Sequence, residues 1–580
     1  MMIIIIIESM AIPTLTPESA GPVPALPLPS SLAPALPRRG PSWLLWIALA
    51  AALLVAAPLL SVASNVLVGG TGETWAHLAS TVLADYITST LWLCVGVGLG
   101  VAALGVGSAW LVTRYDFPGR AQFEWALVLP LAMPSYVIAY AYTDFLQYVG
   151  PVQTALRATF GWNRADYWFP DVRTLGGAVV MFTLVLYPYV YMLARTAFIE
   201  RAGGMIEVGR SLGLSPFMSF VRLSLPMARP AIAGGVALAL METLADYGTV
   251  SYFAVQTFTT GIYRAWFSLG DRVASAQLAL VLLAFVVAVL TLERVSRGGR
   301  RYHETTLRRQ GGSRAVLPRG RAALAVLACL APLLAGFVLP AGLLAHMAIT
   351  EGDAQFGARF FTLARNSMLV AGLTALLAVA LALLIGYAAR IHRGAAARWA
   401  HRVVGLGYAL PGSVIAVGVL IPVTRLDHLL AALIHDLTGH MPGLLLTGSI
   451  AALVYACLVR YLTAAVQAVD EGLGRITPNM DHAARSLGLS AAQVLRRVHL
   501  PMLRGSMLTA GLLVFIDVMK ELPATLVMRP FNFDTLATQT YTLASDERLA
   551  EASTSALAIV VVGLVPMVLL CRSIARHRSD

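Results

Sequence analysis

Long apolar stretches separated by polar, arginine-containing segments dominate the chain. Each stretch has about 20 residues, the length of helix that crosses a hydrocarbon core of about 30 Å. Runs this long and unbroken predict helices rather than the strands of a closed barrel. We expect twelve spans in two sets of six, at 42–65, 88–113, 124–145, 175–195, 230–254, 273–293, 321–348, 366–390, 403–423, 446–468, 505–528 and 554–574.

This pattern predicts an all-α membrane protein with two six-helix halves. The segment before the first span is rich in Pro, Ala and Leu, a composition typical of an extended, disordered tail. A group of arginines separates the two sets of spans. The expected units are a Pro-rich cytoplasmic tail at 1–40, a first half at 41–293, a basic cytoplasmic linker at 294–320 and a second half at 321–580.

Composition excludes a soluble multidomain enzyme, because 58% of the residues are hydrophobic and 12% are charged, whereas soluble proteins are about 25% charged. The formal net charge is +12, from 42 basic and 30 acidic residues. Most arginines fall in alternate loops, so the positive-inside rule places both termini in the cytoplasm. The basic surplus follows from this topology, and no nucleic-acid partner is expected.

The single lysine, Lys520, precedes Glu521. A phosphate-binding P-loop requires Gly-Lys-Ser/Thr, so any ATP must bind to another subunit. The four cysteines stand apart without metal-ligand spacing, and no disulfide framework is expected.

An internal repeat links the two halves. The six residues from Arg210 to Ser215 recur from Arg485 to Ser490, an offset of 275 residues, and Leu-Pro-Met at 225–227 recurs at 500–502 with the same offset. Both copies precede the fifth span of their half. Two matches at one offset predict that the halves are duplicates in parallel orientation.

Each repeat predicts a helix-turn-helix hairpin at the membrane surface. The first helix should end at a glycine, Gly213 or Gly488, and Ser215 or Ser490 should cap the next helix. Gln493 completes a capping box in the second copy. The second helix is expected to end before Pro226 or Pro501. A DNA-binding role is disfavoured because the hairpins are tethered between spans, and a plain amphipathic connector is the simpler alternative.

The segment Glu207-Val-Gly-Arg-Ser-Leu-Gly213, followed by Leu223-Ser-Leu-Pro226, resembles the "EAA" loop of ABC importer permeases. The copy beginning at His482 is similar, with His in place of the family's Glu. The resemblance implies the type I permease fold and hairpins that dock into cytoplasmic ATPase subunits. The coupling residues so implied are Glu207, Gly209, Arg210, Gly213, Pro226, His482, Ala483, Ala484, Arg485, Gly488 and Pro501.

The same resemblance implies the partners and the location. Two loops in one chain imply two copies of the ATPase, which carry the ATP, while this chain binds no cofactor. A periplasmic substrate-binding protein and the lipid bilayer complete the expected partners. The expected location is the bacterial inner membrane.

The stretches 242–253, 256–261, 520–525 and 529–536 look like the ferric-iron branch of these permeases. The expected function is therefore to move ferric iron, delivered by a periplasmic binding protein, into the cytoplasm. Thiamine or another small cation is the alternative substrate. A secondary transporter driven by an ion gradient is the alternative class, and the two ATPase-docking loops argue against it. No nucleophile–base motif supports a membrane enzyme.

Charged residues occur inside the fifth span of each half, where facing lipid costs at least about 2.5 kcal/mol. At the offset of 275, acid matches acid. They are predicted either to line a translocation pathway and attract a cation, or to pair with Lys520 and arginines and lock helices together. The candidate pathway residues are Glu242, Asp246, Tyr247, Asp517, Lys520 and Glu521.

Gly248 aligns with Pro523, and this predicts a break near the middle of each fifth span. Pro130, Pro134 and Pro411 predict kinks. A predicted external loop holds His428, His435 and His440 beside Asp427 and Asp436. Ferric iron accepts oxygen and imidazole ligands, although histidines in exposed loops are mostly solvated or contact a partner.

Overall fold

The computed structural model is built almost entirely of helices and describes residues 42–65, 68, 72–297, 314–352, 356–392, 394–440 and 442–576. The predicted tail, 1–40, lies outside the described residues, as does the part of the predicted linker at 298–313.

The first half contains twelve helices. They are α1 (Ser42–Ser64), α2 (Gly72–Thr81), α3 (Leu83–Arg114), α4 (Arg120–Ala126), α5 (Ser135–Leu146), α6 (Pro151–Phe160), α7 (Leu175–Ser211), α8 (Pro216–Ser219), α9 (Leu225–Ala245), α10 (Gly248–Tyr252), α11 (Phe258–Tyr263) and α12 (Arg272–Arg297), all within the described residues.

The described part of the second half repeats this order. Its helices are α13 (Arg319–Leu333), α14 (Leu339–Thr350), α15 (Ala358–Ile391), α16 (Ala395–Val404), α17 (Gly412–Thr438), α18 (Ile450–Gly474), α19 (Pro478–Ser486), α20 (Ala491–Val494), α21 (Leu500–Met519), α22 (Pro523–Met528), α23 (Leu536–Ser545) and α24 (Leu549–Arg576). Two short strands, β1 (Tyr115–Asp116) and β2 (Ala315–Val316), pair in parallel and join the loop after α3 to the linker.

Ten helical segments of the described chain are long and apolar enough to cross a membrane, or eleven if a bent pair counts as one span. The bent pair is Arg120–Ala132 with Ser135–Phe160, and α24 has a shorter apolar part, Leu549–Val565. Each of the twelve predicted spans overlaps one of these segments. The predicted all-α membrane fold is confirmed.

The third span bends by 91° between its two parts. Pro130 lies in a 3₁₀ turn, Leu129–Ala132, and Pro134 has the extended backbone that precedes α5. Proline removes a backbone donor and disfavours helical geometry in the residue before it. The predicted kink is therefore present, as a complete break.

The fifth span of each half is likewise two segments. Helix α9 ends at Ala245 and α10 begins at Gly248, while α21 ends at Met519 and α22 begins at Pro523. The predicted breaks are confirmed, and the continuous spans 230–254 and 505–528 are corrected to broken ones.

The hairpin prediction is wrong in one respect, because its second helix does not end before the proline. The helical backbone from Pro216 continues to Ala245, and that from Ala492 continues to Met519. A π-helical turn, Phe220–Ser224 or Leu495–His499, precedes each Leu-Pro pair. The wider turn accommodates a residue that lacks a backbone N–H. Movement of a hairpin is thus connected directly to the fifth span.

The ninth span also differs from its predicted range of 403–423. Helix α17 starts after Pro411 and runs to Thr438, so Asp427, His428 and His435 lie on a helix rather than in a loop. Polar residues lower the hydropathy of the last part of this helix, so the span predicted from hydropathy ended before the helix does. His440 follows Gly439, which has the left-handed backbone that ends a helix.

Close helix crossings hold the first half together. A Cβ on Gly105 of α3 would lie 2.6 Å from Val190 Cβ and 2.8 Å from the Tyr191 backbone nitrogen of α7. Two residues along the same helix, a Cβ on Gly107 would meet nothing within 4 Å. Gly105 therefore lets two long spans approach at backbone distance.

We predict that Gly105→Val destabilises the protein by roughly 1–3 kcal/mol, because backbone on α7 cannot move aside as a side chain does. Gly107→Val is the matched control on the same helix. Thermal unfolding of detergent-solubilised protein measures both. Equal melting temperatures for the two variants would contradict the crossing described.

Candidate functional site in the broken fifth spans

The acid at the first break caps the helix that follows. Asp246 Oδ1 accepts the backbone N–H of Thr249 at 2.8 Å and that of Val250 at 3.4 Å. Its Oδ2 accepts the hydroxyls of Ser135 at 2.6 Å and Thr249 at 3.2 Å. A helix that starts inside a membrane has no water for its first N–H groups, so the carboxylate stabilises the start of α10.

Glu521 does the same at the second break. Its Oε1 accepts the Ala524 N–H at 3.0 Å, and its Oε2 accepts the Thr525 N–H at 3.0 Å and the Thr525 hydroxyl at 2.8 Å. Asp246 and Glu521 occupy matching positions of the repeat. Both breaks are therefore held by the same device, a carboxylate at the start of a short helix.

Arg460 of α18 joins the two halves through these acids. Its Nη1 lies 3.3 Å from Glu521 Oε1 and its Nη2 lies 3.8 Å from Glu242 Oε2. Glu242 Oε1 also accepts the hydroxyl of Tyr408 at 2.8 Å. Glu242 belongs to the first half and the other three residues to the second. This cluster is an ionic bridge between the duplicated halves.

The two capping acids differ in the side chain from another segment that bonds to them. Ser135, one residue after Pro134, donates to Asp246, and the residue after the matching Pro411 is Gly412. A Cβ on Gly412 would lie 2.8 Å from Glu521 Oε1 and 2.9 Å from Arg460 Nη1. Glycine at this position leaves the space through which the guanidinium reaches Glu521.

The remaining charged pair is more accessible. Lys520 Nζ lies 3.0 Å from Asp517 Oδ1, and the two side chains are 36% and 20% exposed. Glu242 is 28% exposed, against 1% for Glu521. The predicted pairing with Lys520 and an arginine is present for Glu242, Asp517 and Glu521, whereas the hydrogen bonds described for Asp246 go to neutral groups, and the pathway role stays a prediction. These four acids and two bases leave two formal negative charges in excess.

Tyr247 follows the first capping acid and stacks on Tyr263, with ring centroids 3.7 Å apart. Its ring also lies 5.7 Å from that of Tyr541 in the second half. The candidate pathway residues therefore gather where the broken spans meet.

The sequence prediction missed Arg460, Tyr408 and Ser135. A signal existed for Arg460, since it is a lone charge inside the predicted span 446–468, and intramembrane charges mark functional or pairing positions. Tyr408 and Ser135 carry no comparable signal, because their role depends on the bends that bring α5, α9 and the turn before α17 together.

The predicted turns of the coupling hairpins are present in both halves. Gly213 and Gly488 have φ of 70° and 84°, values that only glycine adopts without strain. Ser215 Oγ accepts the Met218 N–H at 3.2 Å. Ser490 and Gln493 bond reciprocally, at 2.9 Å and 3.4 Å, so the predicted capping box is confirmed.

The other coupling residues fall into four groups. The side chains of Glu207 and Arg210 lie outside the described residues, while His482, Ala483 and Arg485 are exposed. Gly209 packs where the two arms cross, because a Cβ there would lie 2.4 Å from Ser219 Oγ, and its repeat partner Ala484 is buried. Pro226 and Pro501 stand in the first turns of α9 and α21.

The tips of the hairpins expose large apolar side chains. Leu212 is 67% exposed and its repeat partner Leu487 is 82% exposed, and Phe217 beside the first turn is 73% exposed. An apolar tip outside the spans is typical of a surface that a partner covers.

An acid next to His482 is held from inside the protein. Asp481 lies 2.9 Å from Arg390 Nε and 2.7 Å from His499 Nε2. Arg390 also donates to the carbonyls of Leu473 and Ile476, both at 2.8 Å. Burial favours the neutral acid, but Arg390 and His499 together hold the pKa of Asp481 below its usual value. The acid thus anchors the second hairpin to α15 rather than facing a partner.

The histidines named as metal candidates do not form a cluster. Among the described residues, no three His, Cys, Asp or Glu side chains come close enough to hold an ion. Asp427 binds the backbone of its own half instead. Its carboxylate accepts the N–H groups of Leu445, Leu446 and Thr447 at 2.7–3.0 Å. Its carboxylate fixes the loop that returns the chain to α18.

Residues 101–297 match the family described as the binding-protein-dependent transport system inner membrane component. This chain carries the permease domain of an ABC transporter. It is a multi-pass membrane protein, and the curated proteins that it resembles are permease components of transport systems. The second half repeats the elements of the matched half, from the bent third span to the capped break of the fifth.

Three relatives in known transport systems are similar to this permease. The Fe(3+)-transport system permease protein FbpB 2 of Haemophilus influenzae is 27% identical over 543 residues, 92% of this chain and 99% of the relative. The molybdenum transport system permease protein ModB of Escherichia coli is 26% identical over 36% of this chain and 97% of its own. The sulfate transport system permease protein CysT of Salmonella typhimurium is 30% identical over 26% of this chain and 51% of its own.

We predict that Arg460→Met destabilises the permease by about 3–5 kcal/mol, because it leaves the buried Glu521 without its cation. Adding Glu521→Gln should restore much of the lost stability, since it removes the uncompensated charge and its single amide oxygen still accepts one of the two N–H bonds of the cap. Thermal unfolding in detergent measures both variants. An unchanged melting temperature in Arg460→Met would contradict the ionic bridge.

Proposed function

We propose that this permease moves ferric iron, delivered by a periplasmic binding protein, across the bacterial inner membrane. Similarity to a ferric transport permease over nearly the whole of both chains carries the proposal, since the molybdenum and sulfate relatives match about a third of this chain or less. The charge of the site supports it independently. Two negative charges in excess favour a cation over a sulfate or molybdate anion.

Thiamine or another small cation is the remaining substrate alternative, because the excess charge would attract it as well. The gradient-driven transporter is disfavoured by the permease domain and by the two hairpins. A carrier that works without an ATPase would not need two equivalent hairpins with exposed apolar tips outside its spans.

We further propose that each hairpin docks one copy of a cytoplasmic ATPase, which binds and hydrolyses the ATP. Leu212 and Leu487 would enter grooves on the two copies. Each hairpin is helically continuous with the fifth span of its half, so closure of the ATPases pulls on α9 and α21. In this arrangement both termini are cytoplasmic, as the arginine distribution predicts, and the binding protein docks on the opposite face.

Transport in this proposal separates the halves where Arg460 joins them. The contact to Glu242, at 3.8 Å, crosses between halves, whereas the contact to Glu521, at 3.3 Å, stays within one. Outward movement of α9 would break the contact between Arg460 and Glu242 and keep the contact between Arg460 and Glu521. Glu242 and Asp517 are the acids that remain accessible, so we assign them to the pathway lining and assign Asp246 and Glu521 to the caps.

Uptake of labelled substrates by cells with and without the gene tests the substrate. We expect loss of ferric iron uptake in the deletion strain and its restoration by the wild-type gene, because the pathway is suited to a cation. Thiamine, sulfate and molybdate are measured alongside, in a strain without other iron importers. Unchanged iron uptake would refute the ferric assignment, and loss of thiamine uptake instead would select the alternative.

The docking proposal predicts that Leu212→Asp and Leu487→Asp each remove one ATPase copy and that the double variant removes both. A charge at an apolar contact costs binding, and neither exposed side chain supports the fold. Native mass spectrometry of the nucleotide-free complex counts the copies. Phe531→Asp, at a 95% exposed side chain away from the hairpins, is the control. Two ATPase copies on the double variant would contradict docking at the tips.

A further inference from the structure

Two phenol hydroxyls from opposite halves meet beside the first break. Tyr247 OH and Tyr541 OH lie 3.5 Å apart, and Ser251 Oγ lies 3.1 Å from Tyr541 OH. Tyr247 immediately precedes α10 and Ser251 lies within it, whereas Tyr541 lies on α23. All three residues are partly accessible rather than fully buried.

The two rings are fixed by their surroundings. Tyr247 directly follows the capping acid Asp246 and stacks on Tyr263, whose own hydroxyl donates to the carbonyl of Pro523. Tyr541 sits on a helix whose start is held by a capping box of Thr535 and Thr538. The elements around the two breaks thus position both phenols, and the Tyr541 hydroxyl donates a hydrogen bond to that of Tyr247 across the halves.

Further phenols surround the pair. Tyr140 is 2% exposed and Tyr136 is 4% exposed, and neither hydroxyl has a hydrogen-bond partner among the described residues. The ring of Tyr140 packs against that of Tyr252, which is next to Ser251, at 4.5 Å. Leaving a buried hydroxyl unpaired is unfavourable, because its hydrogen bond to water is lost and not replaced. This region therefore contains more hydroxyl oxygens than its hydrogen bonds use.

We propose that Tyr247 and Tyr541 are transient ligands of ferric iron during its passage between the halves, an inference that rests on the ferric function proposed above. Ferric iron is a hard cation that favours oxygen ligands, and a phenol that binds it releases its proton to solvent. The remaining coordination positions stay with the water or chelator that arrives with the ion. Ser251 acts as a positioning residue through its bond to Tyr541.

The geometry suits a small octahedral ion. Neighbouring ligands on bonds of about 2 Å lie about 3 Å apart, so the two oxygens need to approach by only about half an ångström. One ligand comes from each half, so separation of the halves removes one of them and weakens the site. A passage site must hold its ion loosely enough to release it.

The test is ferric binding to the full-length permease in lipid nanodiscs, with ferric nitrilotriacetate as the probe. Iron bound to phenolate gives a visible charge-transfer absorbance and tyrosinate bands in the resonance Raman spectrum. We expect both signals in the wild type and their loss in Tyr247→Phe and Tyr541→Phe, which keep the ring and remove the oxygen. Ferric affinity should fall at least about tenfold. Tyr455→Phe, whose hydroxyl donates to the Leu54 carbonyl at 2.7 Å, is the matched control.

Absence of the signals in the wild type, or their persistence in both phenylalanine variants, would overturn the ligand site. Iron uptake by cells that carry the same variants separates this from the proposed function. Normal iron uptake by the wild type and by both variants would refute the site and leave the ferric function standing. Failure of the wild type itself to import iron would refute the function.

Discussion

Satisfying the backbone at a break in a membrane helix is the constraint on which this structure depends. Each fifth span is interrupted by a break, and the first N–H groups of the next short helix need acceptors that lipid does not supply. Asp246 and Glu521 supply the acceptors, with hydrogen bonds of 2.8–3.0 Å to backbone nitrogen. Because these caps are acids, they bring charge into the membrane. The position of Arg460, the space at Gly412 and the link to Glu242 follow from the need to balance that charge.

The duplicated halves keep the same framework but differ in chemistry. A further example of this difference is the ion pair between the third and the fourth span of each half. Glu124 pairs with Arg195 in the first half, and His401 pairs with Asp470 at 2.5 Å in the second. The hydrogen bond to Asp470 raises the pKa of His401, so the stability from this pair is complete below about pH 6.5 and is lost as pH rises through the raised value.

Much of the architecture could be predicted from the sequence, because twenty-residue apolar runs, prolines and a repeat at one offset are local signals. The turns at Gly213 and Gly488 and the breaks at Gly248 and Pro523 are examples. Contacts between distant spans could not be predicted. Nothing in the chain near Glu242 indicates that Arg460 or Tyr408 reaches it, and nothing near Asp427 indicates that its carboxylate binds Leu445 and Leu446. The prediction of an external loop at 426–440 was wrong for most of this stretch, because polar residues on a helix resemble those of an external segment.

We propose that the four intramembrane acids have two separate roles: Asp246 and Glu521 cap helices, and Glu242 and Asp517 line the pathway. The most direct test is iron uptake per folded transporter, measured together with melting temperature in proteoliposomes that contain the ATPase. Glu242→Gln with Asp517→Asn should lower uptake at near wild-type stability. Asp246→Asn with Glu521→Gln should lower the melting temperature and leave uptake per folded molecule largely intact. The opposite pattern would contradict the account.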